Sequence, residues 1–349
     1  MIATPKKIII APLNWGLGHA SRCVPIIHAL LKNNFIPILA SDGQALTFLK
    51  QEFPDLEILE LPSYNISYGK NIHLKLLLQF PKIYKAVKKE KQVIQQFIDK
   101  NKDVVGIVSD NRFGVRSNKL PSVYTTHQLK ILAGFFTPLA SFIHQQIIKN
   151  FDECWVPDQE KSLLSGKLSS TNKKLNQKYI GVLSRFKKEE LEINIAILII
   201  LSGPEPNRTF LEKKLITEFK NDKRNIVFVL GKVENQQKKW KKKNITFHNY
   251  LLSKELQNLI NSSEIVVCRS GYSSIMDLAV LQKKVFLIPT KNQPEQEYLA
   301  LLLEKKRLAP FSKTEDFTKE KLAKLINYKG LKIDKTVLSS DLFRLFKSK

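Results

Sequence analysis

A histidine that follows two closely spaced glycines is the first place in this sequence where chemistry could occur. The segment Gly16-Leu17-Gly18-His19 follows an apolar, β-branched run, Ile8 to Ala11, and precedes a helical pattern. Two glycines let the backbone approach an anion closely, and a histidine at a helix start can take up a proton at neutral pH. The segment lacks the longer dinucleotide fingerprint, because Ser21 stands where a third glycine would be. A functional loop is favoured over a tight turn with a surface histidine.

A second polar loop combines hydroxyls with a carboxylate. Arg269-Ser270-Gly271 ends an apolar run, and a helix is predicted to begin near Ser273. The hydroxyls of Ser273 and Ser274 and the helix N terminus would favour a phosphate. Asp277 lies on the same helical face and could accept hydrogen bonds from a ribose diol. The alternatives are plain helix capping by the serines and a favourable charge near a helix start for the aspartate.

A third polar loop, rich in amides and carboxylates, follows the apolar run Val285 to Ile288. Gln293-Pro294-Glu295-Gln296 opens a predicted helix there. Amide and carboxylate side chains supply the donors and acceptors that sugar hydroxyls need. The alternative is an ordinary polar surface loop.

The elements that would position these loops alternate between short apolar strands and helices. Such alternation predicts parallel sheets with helices on both faces, and 349 residues favour two domains. We expect two Rossmann-like, doubly wound α/β domains that face a cleft. The predicted bounds are an N-terminal domain at 1–165, a Ser-, Lys- and Asn-rich linker at 166–190, a C-terminal domain at 191–330, and a last helix at 331–349 that packs back on the N-terminal domain.

The order and spacing of these motifs resemble the family-28 glycosyltransferases, which have the glycosyltransferase B fold and include the N-acetylglucosaminyltransferase that makes lipid II. Three features carry the resemblance: Arg269-Ser270-Gly271 with Asp277, the Val285–Pro289 strand with the polar loop 292–297, and Gly16–His19 with Pro25. The resemblance implies that Ser273, Ser274 and the helix start hold the donor diphosphate. It also implies that Asp277 holds the ribose, that residues 293–296 hold the transferred sugar, and that His19 faces them across the cleft.

Two segments depart from the family pattern. Ser202-Gly203-Pro204 begins the loop in which the family has a glycine-rich turn, and its prolines remove backbone donors, so Arg208 is expected to supply positive charge instead. Ser202 and Gly203 remain candidate donor-binding residues. The family's second N-terminal glycine loop is replaced near Asp110, which indicates a different acceptor.

These residues predict transfer of a sugar from a nucleoside diphosphate sugar, with UDP the favoured nucleotide, to an acceptor hydroxyl. No Asp-x-Asp motif occurs in the chain, so neither a metal nor a cofactor is expected. Helix N termini and Arg269 or Arg208 would neutralise the departing diphosphate, worth about 3 to 4 kcal/mol per aligned donor. His19 is the favoured base for the acceptor, with Asp110 as the other candidate. An inverting and a retaining outcome both stay open.

The net charge of +25 predicts an anionic partner, with a surface shaped only by a lysine-rich composition as the alternative. The basic and apolar stretch Leu74 to Lys91 could lie on anionic lipid, or could form two ordinary helices with a lysine-rich face. A lipid-linked or cell-envelope acceptor and an anionic membrane surface are therefore candidate partners. Nucleic acid is not expected, although the basic run Lys238 to Lys243 could touch phosphates.

Two other functions stay open: a sugar-nucleotide epimerase on the same fold, and a non-catalytic, basic protein that binds membranes peripherally. Three widely spaced cysteines with no CxxC pair indicate a reducing, cytoplasmic compartment. The longest apolar run, Ile195 to Leu201, is far shorter than the roughly 20 residues that span a bilayer. A cytoplasmic protein is expected, with attachment to the inner face of the membrane as an option.

Overall fold

The computed structural model describes residues 5–65 and 72–347, which form two compact α/β units. The first unit comprises Met1–Trp15, His19–Leu183 and Lys335–Lys349, and the second comprises Gly16–Gly18 and Ser184–Asp334. Each unit is built on one sheet of mostly parallel strands with helices around it. Two Rossmann-like sheets were predicted, and the structure contains both.

The first unit has a seven-stranded, wholly parallel sheet. Its strands are β1 (Lys6–Pro12), β2 (Phe35–Ser41), β3 (Ile58–Glu60), β4 (Val104–Asp110), β5 (Ser122–Thr125), β6 (Glu153–Val156) and β7 (Gln177–Tyr179). Its helices are α1 (Leu17–Lys32), α2 (Gly43–Glu52), α3 (Ile72–Lys100) and α4 (Thr137–Ile148), with 3-10 turns at Gly134–Phe136, Gly166–Ser169 and Ser340–Phe346. The order is β3-β2-β1-β4-β5-β6-β7. The central strands are continuous apolar runs because a parallel sheet is covered on both faces.

The C-terminal segment completes the first unit. Its last turn is a 3-10 helix, Ser340–Phe346, where a regular helix was predicted. The rings of Phe343 and Phe346 lie 6.0 and 6.1 Å from that of Trp155. A Cβ atom placed on Gly106 in β4 would lie 2.2 Å from the Phe346 ring. The lack of a side chain at Gly106 therefore makes room for the C-terminal phenylalanine.

The second unit has a six-stranded sheet that is parallel except at one edge. Its strands are β8 (Ile195–Ile200), β9 (Ile226–Val229), β10 (Lys239–Lys242), β11 (Ile245–His248), β12 (Ser263–Cys268) and β13 (Lys284–Leu287). Its helices are α5 (Asn207–Phe219), α6 (Ser253–Asn261), α7 (Tyr272–Val280) and α8 (Pro294–Lys305), with a 3-10 helix at Lys319–Asn327. The order is β10-β11-β9-β8-β12-β13, with β10 antiparallel.

The structure differs from the expected domain bounds in the predicted linker, 166–190. Residues 166–183 belong to the first unit and include β7, which pairs with β6 in parallel. The sequence missed β7 because its three residues are polar and only partly buried. The fully exposed, lysine-rich edge strand β10 was missed for the same reason. The stretch expected to form two helices lies within the single helix α3, which contains Pro81.

Both sheets reverse their direction of winding at a central strand. In the first unit β1 lies between β2 and β4, and in the second unit β8 lies between β9 and β12. Ligands of doubly wound sheets bind at the carboxyl ends of the strands beside such a reversal. The loops after β1, β4, β8 and β12 are therefore where this fold favours a site. Among the described residues, no helix is both long and apolar enough to cross a membrane.

Candidate functional site

In the first unit, His19 and Asp110 lie together at the carboxyl ends of adjacent strands. His19 is in the first turn of α1, which follows β1, and Asp110 is the last residue of β4. The Nδ1 atom of His19 lies 2.7 Å from Oδ1 of Asp110. The Asp110 side chain is fully buried, whereas 15% of the His19 side chain is exposed. This is the arrangement of a histidine oriented by a buried carboxylate.

Arg22 joins the same cluster, although it was not predicted from the sequence. Its Nε and Nη2 atoms donate to the two oxygens of Asp110 in a bidentate pair. Its Nη2 also lies 2.8 Å from Nδ1 of His19, and its Nη1 lies 2.8 Å from Nδ1 of His127. The positions of Arg22 and His127 in the sequence could have identified both residues. Arg22 is three positions after His19 and so shares its helical face, and His127 follows the carboxyl end of β5.

Burial and the neighbouring charges set the protonation of this cluster. Burial opposes the charged form of Asp110, but Arg22 and His19 outweigh it and hold the pKa of Asp110 well below its usual range. Burial, followed by the positive charge of Arg22, lowers the pKa of His19, while Asp110 raises it. The net direction is downward, so His19 is neutral and Asp110 is ionised at neutral pH.

The proton position on His19 follows from its partners. Two contacts of Nδ1 point to different tautomers of His19. A carboxylate oxygen only accepts, so the 2.7 Å contact with Asp110 is a hydrogen bond when Nδ1 carries the proton, whereas the 2.8 Å contact with Nη2 of Arg22 is one when Nδ1 does not. We assign the proton to Nδ1 because Nη2 already donates to Asp110. The Nε2 atom of His19 is then an unprotonated acceptor. His127 has the opposite tautomer, because its Nδ1 accepts from Arg22 and its Nε2 carries the proton.

A polar chain continues from this cluster into the core of the first unit. Asn111 Nδ2 lies 3.3 Å from Asp110 Oδ1, and the Tyr124 hydroxyl donates to Asn111 Oδ1 at 3.0 Å. His144 Nε2 lies 3.1 Å from the same hydroxyl. Because the tyrosine proton goes to Asn111, His144 donates from Nε2. Burial lowers the pKa of His144 to about 4, so this imidazole is also neutral.

A second buried network supports the start of the glycine loop. Arg112 donates from Nε to Glu90 at 2.6 Å and from Nη1 to Asp42 at 2.8 Å. The other oxygen of Asp42 accepts from Asn14 Nδ2 at 3.0 Å, and Asn14 lies just before the glycines. Tyr64 donates to Glu90 at 2.7 Å. Arg112 therefore connects the ends of β2 and β4 and the chain after β1.

In the second unit, α7 begins directly after β12, as predicted. Gly271 is its N-cap, and Ser273 and Ser274 are partly exposed in its first turn. The first N–H groups of a helix have no partner within the helix and favour an anion. The hydroxyl of Ser273 donates to the carbonyl of Gly18 at 2.9 Å, which places that glycine at this helix terminus. Ser270 is buried and donates to the Gln296 carbonyl at 2.8 Å.

Asp277 is largely buried on α7. Its Oδ1 accepts a hydrogen bond of 2.5 Å from the buried hydroxyl of Ser184. The same hydroxyl accepts from the amide of Phe186 at 3.1 Å, so Asp277 joins the chain entering the second unit to α7. Ser184 was not identified from the sequence, because nothing in the local pattern around it points to α7.

Arg269, predicted to help neutralise the donor diphosphate, hydrogen-bonds to the backbone of neighbouring loops. Its Nη1 donates to the carbonyls of Ile288 and Pro289 at 3.1 and 3.0 Å, and its Nη2 donates to Asn207 at 2.9 Å. The guanidinium therefore holds together the loops after β12 and β13 and the start of α5. Burial lowers the pKa of Arg269 to about 10, so it remains charged at neutral pH. Within residues 5–65 and 72–347, no carboxylate lies at ion-pairing distance from it; Glu315, whose charge favours its protonated form, is paired with Lys291.

Arg208, the other residue predicted to neutralise the diphosphate, is paired with two carboxylates. It is buried near the start of α5, where Nε donates to Glu205 at 2.8 Å and Nη1 donates to Glu212 at 2.6 Å. Two carboxylates therefore balance its charge locally. The preceding loop carries Ser202 and Gly203, both half-buried, and the φ of +99° at Gly203 is one that glycine adopts readily.

The predicted sugar-binding loop is braced by its own side chains. Gln293 caps α8 by accepting from the Gln296 amide at 2.5 Å. Gln296 in turn accepts from the Thr290 amide at 2.9 Å. Both bonds use the carbonyl oxygen of the glutamine side chain and leave its NH₂ group for a ligand. Glu295 is half-buried in the first turn of the same helix.

Part of the chain matches a known protein family. Residues 197–336 match the family model for the glycosyltransferase family 28 C-terminal domain. No curated protein sequence matches the chain significantly. Among the described residues, no group of three or more His, Cys, Asp or Glu side chains could hold a metal ion.

Solved structures share the fold at low sequence identity. Spinosyn rhamnosyltransferase SpnG has a TM-score of 0.63 at 12% identity, with 98% of this chain and 95% of that chain covered. The glycosyltransferase of kitacinnamycin has 0.61 at 12%, covering 99% and 95%. MurG of Acinetobacter baumannii has 0.53 at 12%, covering 92% and 90%. The predicted resemblance to family 28 and the predicted B fold are both confirmed. The chain is therefore a glycosyltransferase of the B fold, and its residues 197–336 form a glycosyltransferase family 28 C-terminal domain.

Proposed function

We propose that this glycosyltransferase moves a sugar from a nucleoside diphosphate sugar to an acceptor hydroxyl, with His19 as the general base. The observation that carries the proposal is the pairing of His19 with the buried Asp110 at the carboxyl ends of β1 and β4. The carboxylate holds the proton on Nδ1 and leaves Nε2 to take the proton of the acceptor. As the acceptor oxygen attacks the anomeric carbon, the bond from that carbon to the diphosphate breaks, and His19 becomes an imidazolium.

The donor is held by the second unit. The N terminus of α7, with Ser273 and Ser274, supplies N–H and hydroxyl donors to the diphosphate. Arg269 supplies an unneutralised positive charge behind these loops, although its own donors bind carbonyls. Asp277 accepts from the ribose, and the NH₂ groups of Gln293 and Gln296 contact the transferred sugar. A solved structure with the same fold, SpnG, contains thymidine diphosphate, which supports a nucleoside diphosphate as the leaving group.

A lipid-linked acceptor presented at an anionic membrane fits the surface of α4. This helix buries Ser141, His144 and Ile148 but exposes Leu139, Phe142 and Ile143 by 58, 59 and 45%. An exposed apolar face of this kind is unusual for a surface helix, and α4 contains no Asp, Glu, Lys or Arg.

Lys149 directly follows α4 and Lys130 precedes the 3-10 turn before it, and both are exposed cations that anionic headgroups would attract. The stretch Leu74 to Lys91, selected from the sequence for the same role, is only partly covered, because the side chains of 74–78 and 80 lie outside the described residues. Its exposed Lys88 and Lys89 agree with a basic face on α3.

Nucleotide binding is tested first, by thermal shift with UDP, GDP, CDP and dTDP. We expect one diphosphate to stabilise the protein selectively, because a ligand that binds the folded state raises the melting temperature, and raises it more the more tightly it binds. Asp277→Asn should reduce that stabilisation. No shift with any nucleotide would contradict the donor assignment.

Catalysis is tested with the sugar donor that the nucleotide identifies. His19→Ala should lower kcat by a factor of about 10² to 10⁴ with little change in donor affinity. His28→Ala is the matched control, since His28 lies on the same helix but is exposed. Wild-type turnover in His19→Ala would refute the assignment of the base. Product analysis separates transfer, which joins sugar to acceptor, from epimerisation, which leaves the sugar on its nucleotide.

A further inference from the structure

The cluster of His19, Arg22, His127 and Asp110 contains three basic side chains and one carboxylate. This imbalance of charge determines how readily His19 takes up a proton. Among the described residues, Asp110 is the only acid that contacts His19. Both of its oxygens already accept hydrogen bonds from Arg22. A histidine beside a carboxylate alone gains a proton more easily. Here the guanidinium has already balanced the negative charge, so protonated His19 would give the buried cluster a net positive charge.

The geometry makes this charge effect strong. The Nη2 atom of Arg22 is 2.8 Å from Nδ1 of His19, so an imidazolium would stand in contact with a guanidinium. Arg22 is 3% exposed and Asp110 is fully buried, so water screens the repulsion poorly. His127, on the chain after β5, faces the other side of Arg22.

The remaining neighbours add no second counter-charge. Cys23 on α1 lies 3.9 Å from Asp110, and burial raises the pKa of its thiol well above the usual value, so it is neutral. Asn111, at the end of β4, is also neutral. Tyr124 on β5 has a pKa raised by burial and stays protonated. Beside burial, Arg22 is therefore the strongest neighbouring charge that opposes a proton on His19, with His127 adding a weaker effect in the same direction.

We propose that Arg22 is a positioning residue that keeps His19 neutral and ready to accept a proton, while Asp110 fixes its tautomer. The role rests on the proposed function of His19 as a base, but the charge effect exists in the free protein. Arg22 also fixes His127 as the tautomer with its proton on Nε2, which makes that side chain a hydrogen-bond donor. One guanidinium thus sets the protonation of two histidines in opposite senses, with an acceptor at Nε2 of His19 and a donor at Nε2 of His127.

The test measures the titration of His19 directly, by NMR of protein labelled with ¹³C at histidine Cε1 and assigned with His19→Ala. In Arg22→Gln, we expect the affinity of His19 for a proton to rise at least tenfold, that is, by a pKa difference of one or more. Arg22→Lys is the matched control, since it keeps the charge, and its titration should stay within threefold of wild type. An unchanged titration in folded Arg22→Gln would overturn the proposal.

A second variant keeps the test decisive if Arg22→Gln does not fold, because that change leaves a buried carboxylate unpaired. The double variant Arg22→Gln with Asp110→Asn is compared with Asp110→Asn alone, which still carries the guanidinium, and His19 should titrate higher in the double variant. A titration at or below that of Asp110→Asn in the double variant would also refute the proposal.

Activity gives an independent readout. If the enzyme transfers sugar as proposed, kcat/KM of Arg22→Gln should fall further at pH 6.5 than at pH 9, because the extra protonation of His19 is lost at high pH. A purely structural role would lower kcat/KM equally at both values. If no transfer is found at all, the NMR titration still decides the role of Arg22.

Discussion

The neutral, buried His144 predicts a specific loss of stability as the pH falls. Its folded pKa is lowered by burial, to about 4, and its partner is the Tyr124 hydroxyl at 3.1 Å. An unfolded histidine has a pKa of about 6.5, so below that pH the unfolded chain binds a proton that the folded chain refuses. The stability held at pH 8 is therefore lost as the pH falls from about 6.5 towards 4.

The size of this loss follows from the two pKa values. Relative to high pH, the titration of His144 lowers the free energy of unfolding at pH 5 by RT ln[(1 + 10^1.5)/(1 + 10^−1)], which is about 2 kcal/mol. Urea unfolding of wild type and His144→Gln at pH 8 and pH 5 measures it, because glutamine can keep a donor near Tyr124 but does not titrate. We expect wild type to lose about 2 kcal/mol more than the variant between these values. Equal losses in the two proteins would refute the reasoning.

Three further outcomes are expected. Phe346→Ala should cost about 3 to 5 kcal/mol in urea unfolding, because its ring fills the space above Gly106, whereas Val337→Ala, at an exposed position of the same segment, should cost little. Arg269→Met should weaken nucleoside diphosphate binding about tenfold in calorimetry, since a unit charge about 10 Å from an anion contributes about 1.7 kcal/mol at an effective dielectric constant of about 20. Arg208→Met, which removes a charge already balanced by Glu205 and Glu212, should not. The double change Leu139→Ser with Phe142→Ser should reduce pelleting with anionic vesicles, while Leu301→Ser, an exposed leucine of the second unit, should leave it unchanged.

The architecture was predictable because parallel strands and their loops leave local signals. Runs such as Ile195–Ile200 are apolar throughout because both faces of the sheet are covered, and the polar loops that follow them mark the carboxyl ends. Elements without that signal were missed. The edge strands β7 and β10 are polar, and their backbone pairing rather than their side chains makes them strands.

The sequence predicted the positions of the candidate site residues better than it predicted their roles. His19 and Asp110 were both selected, and the structure brings them into contact although 91 positions separate them. Arg269 was selected because an arginine in a phosphate-binding loop is an obvious counter-charge, yet its donors bind carbonyls from two other loops. Whether an arginine is available to a ligand depends on partners distant in sequence, such as Glu212 for Arg208, which no local pattern encodes.

The chain leaving β4 explains how the His19 pair can be rigid before any ligand binds. Asp110 pairs with Arg22, and two positions later Arg112 pairs with Asp42. Asn111 lies between them with a φ of +59°. Asparagine tolerates this left-handed conformation better than most residues, so the backbone can turn there and send the two charges to different partners. Arg112 is held by Glu90 and by Asp42.

Asp42 also binds Asn14 at the start of the glycine loop. The strand end that carries Asp110 and the loop that leads to His19 are therefore anchored to one buried ionic network. A general base acts only if its distance to the reacting hydroxyl is fixed, and a misplacement of about 1 Å can cost about 100-fold in rate. If His19 is the base as proposed, the Arg112 network supports catalysis by keeping the two elements that bear His19 and Asp110 in register.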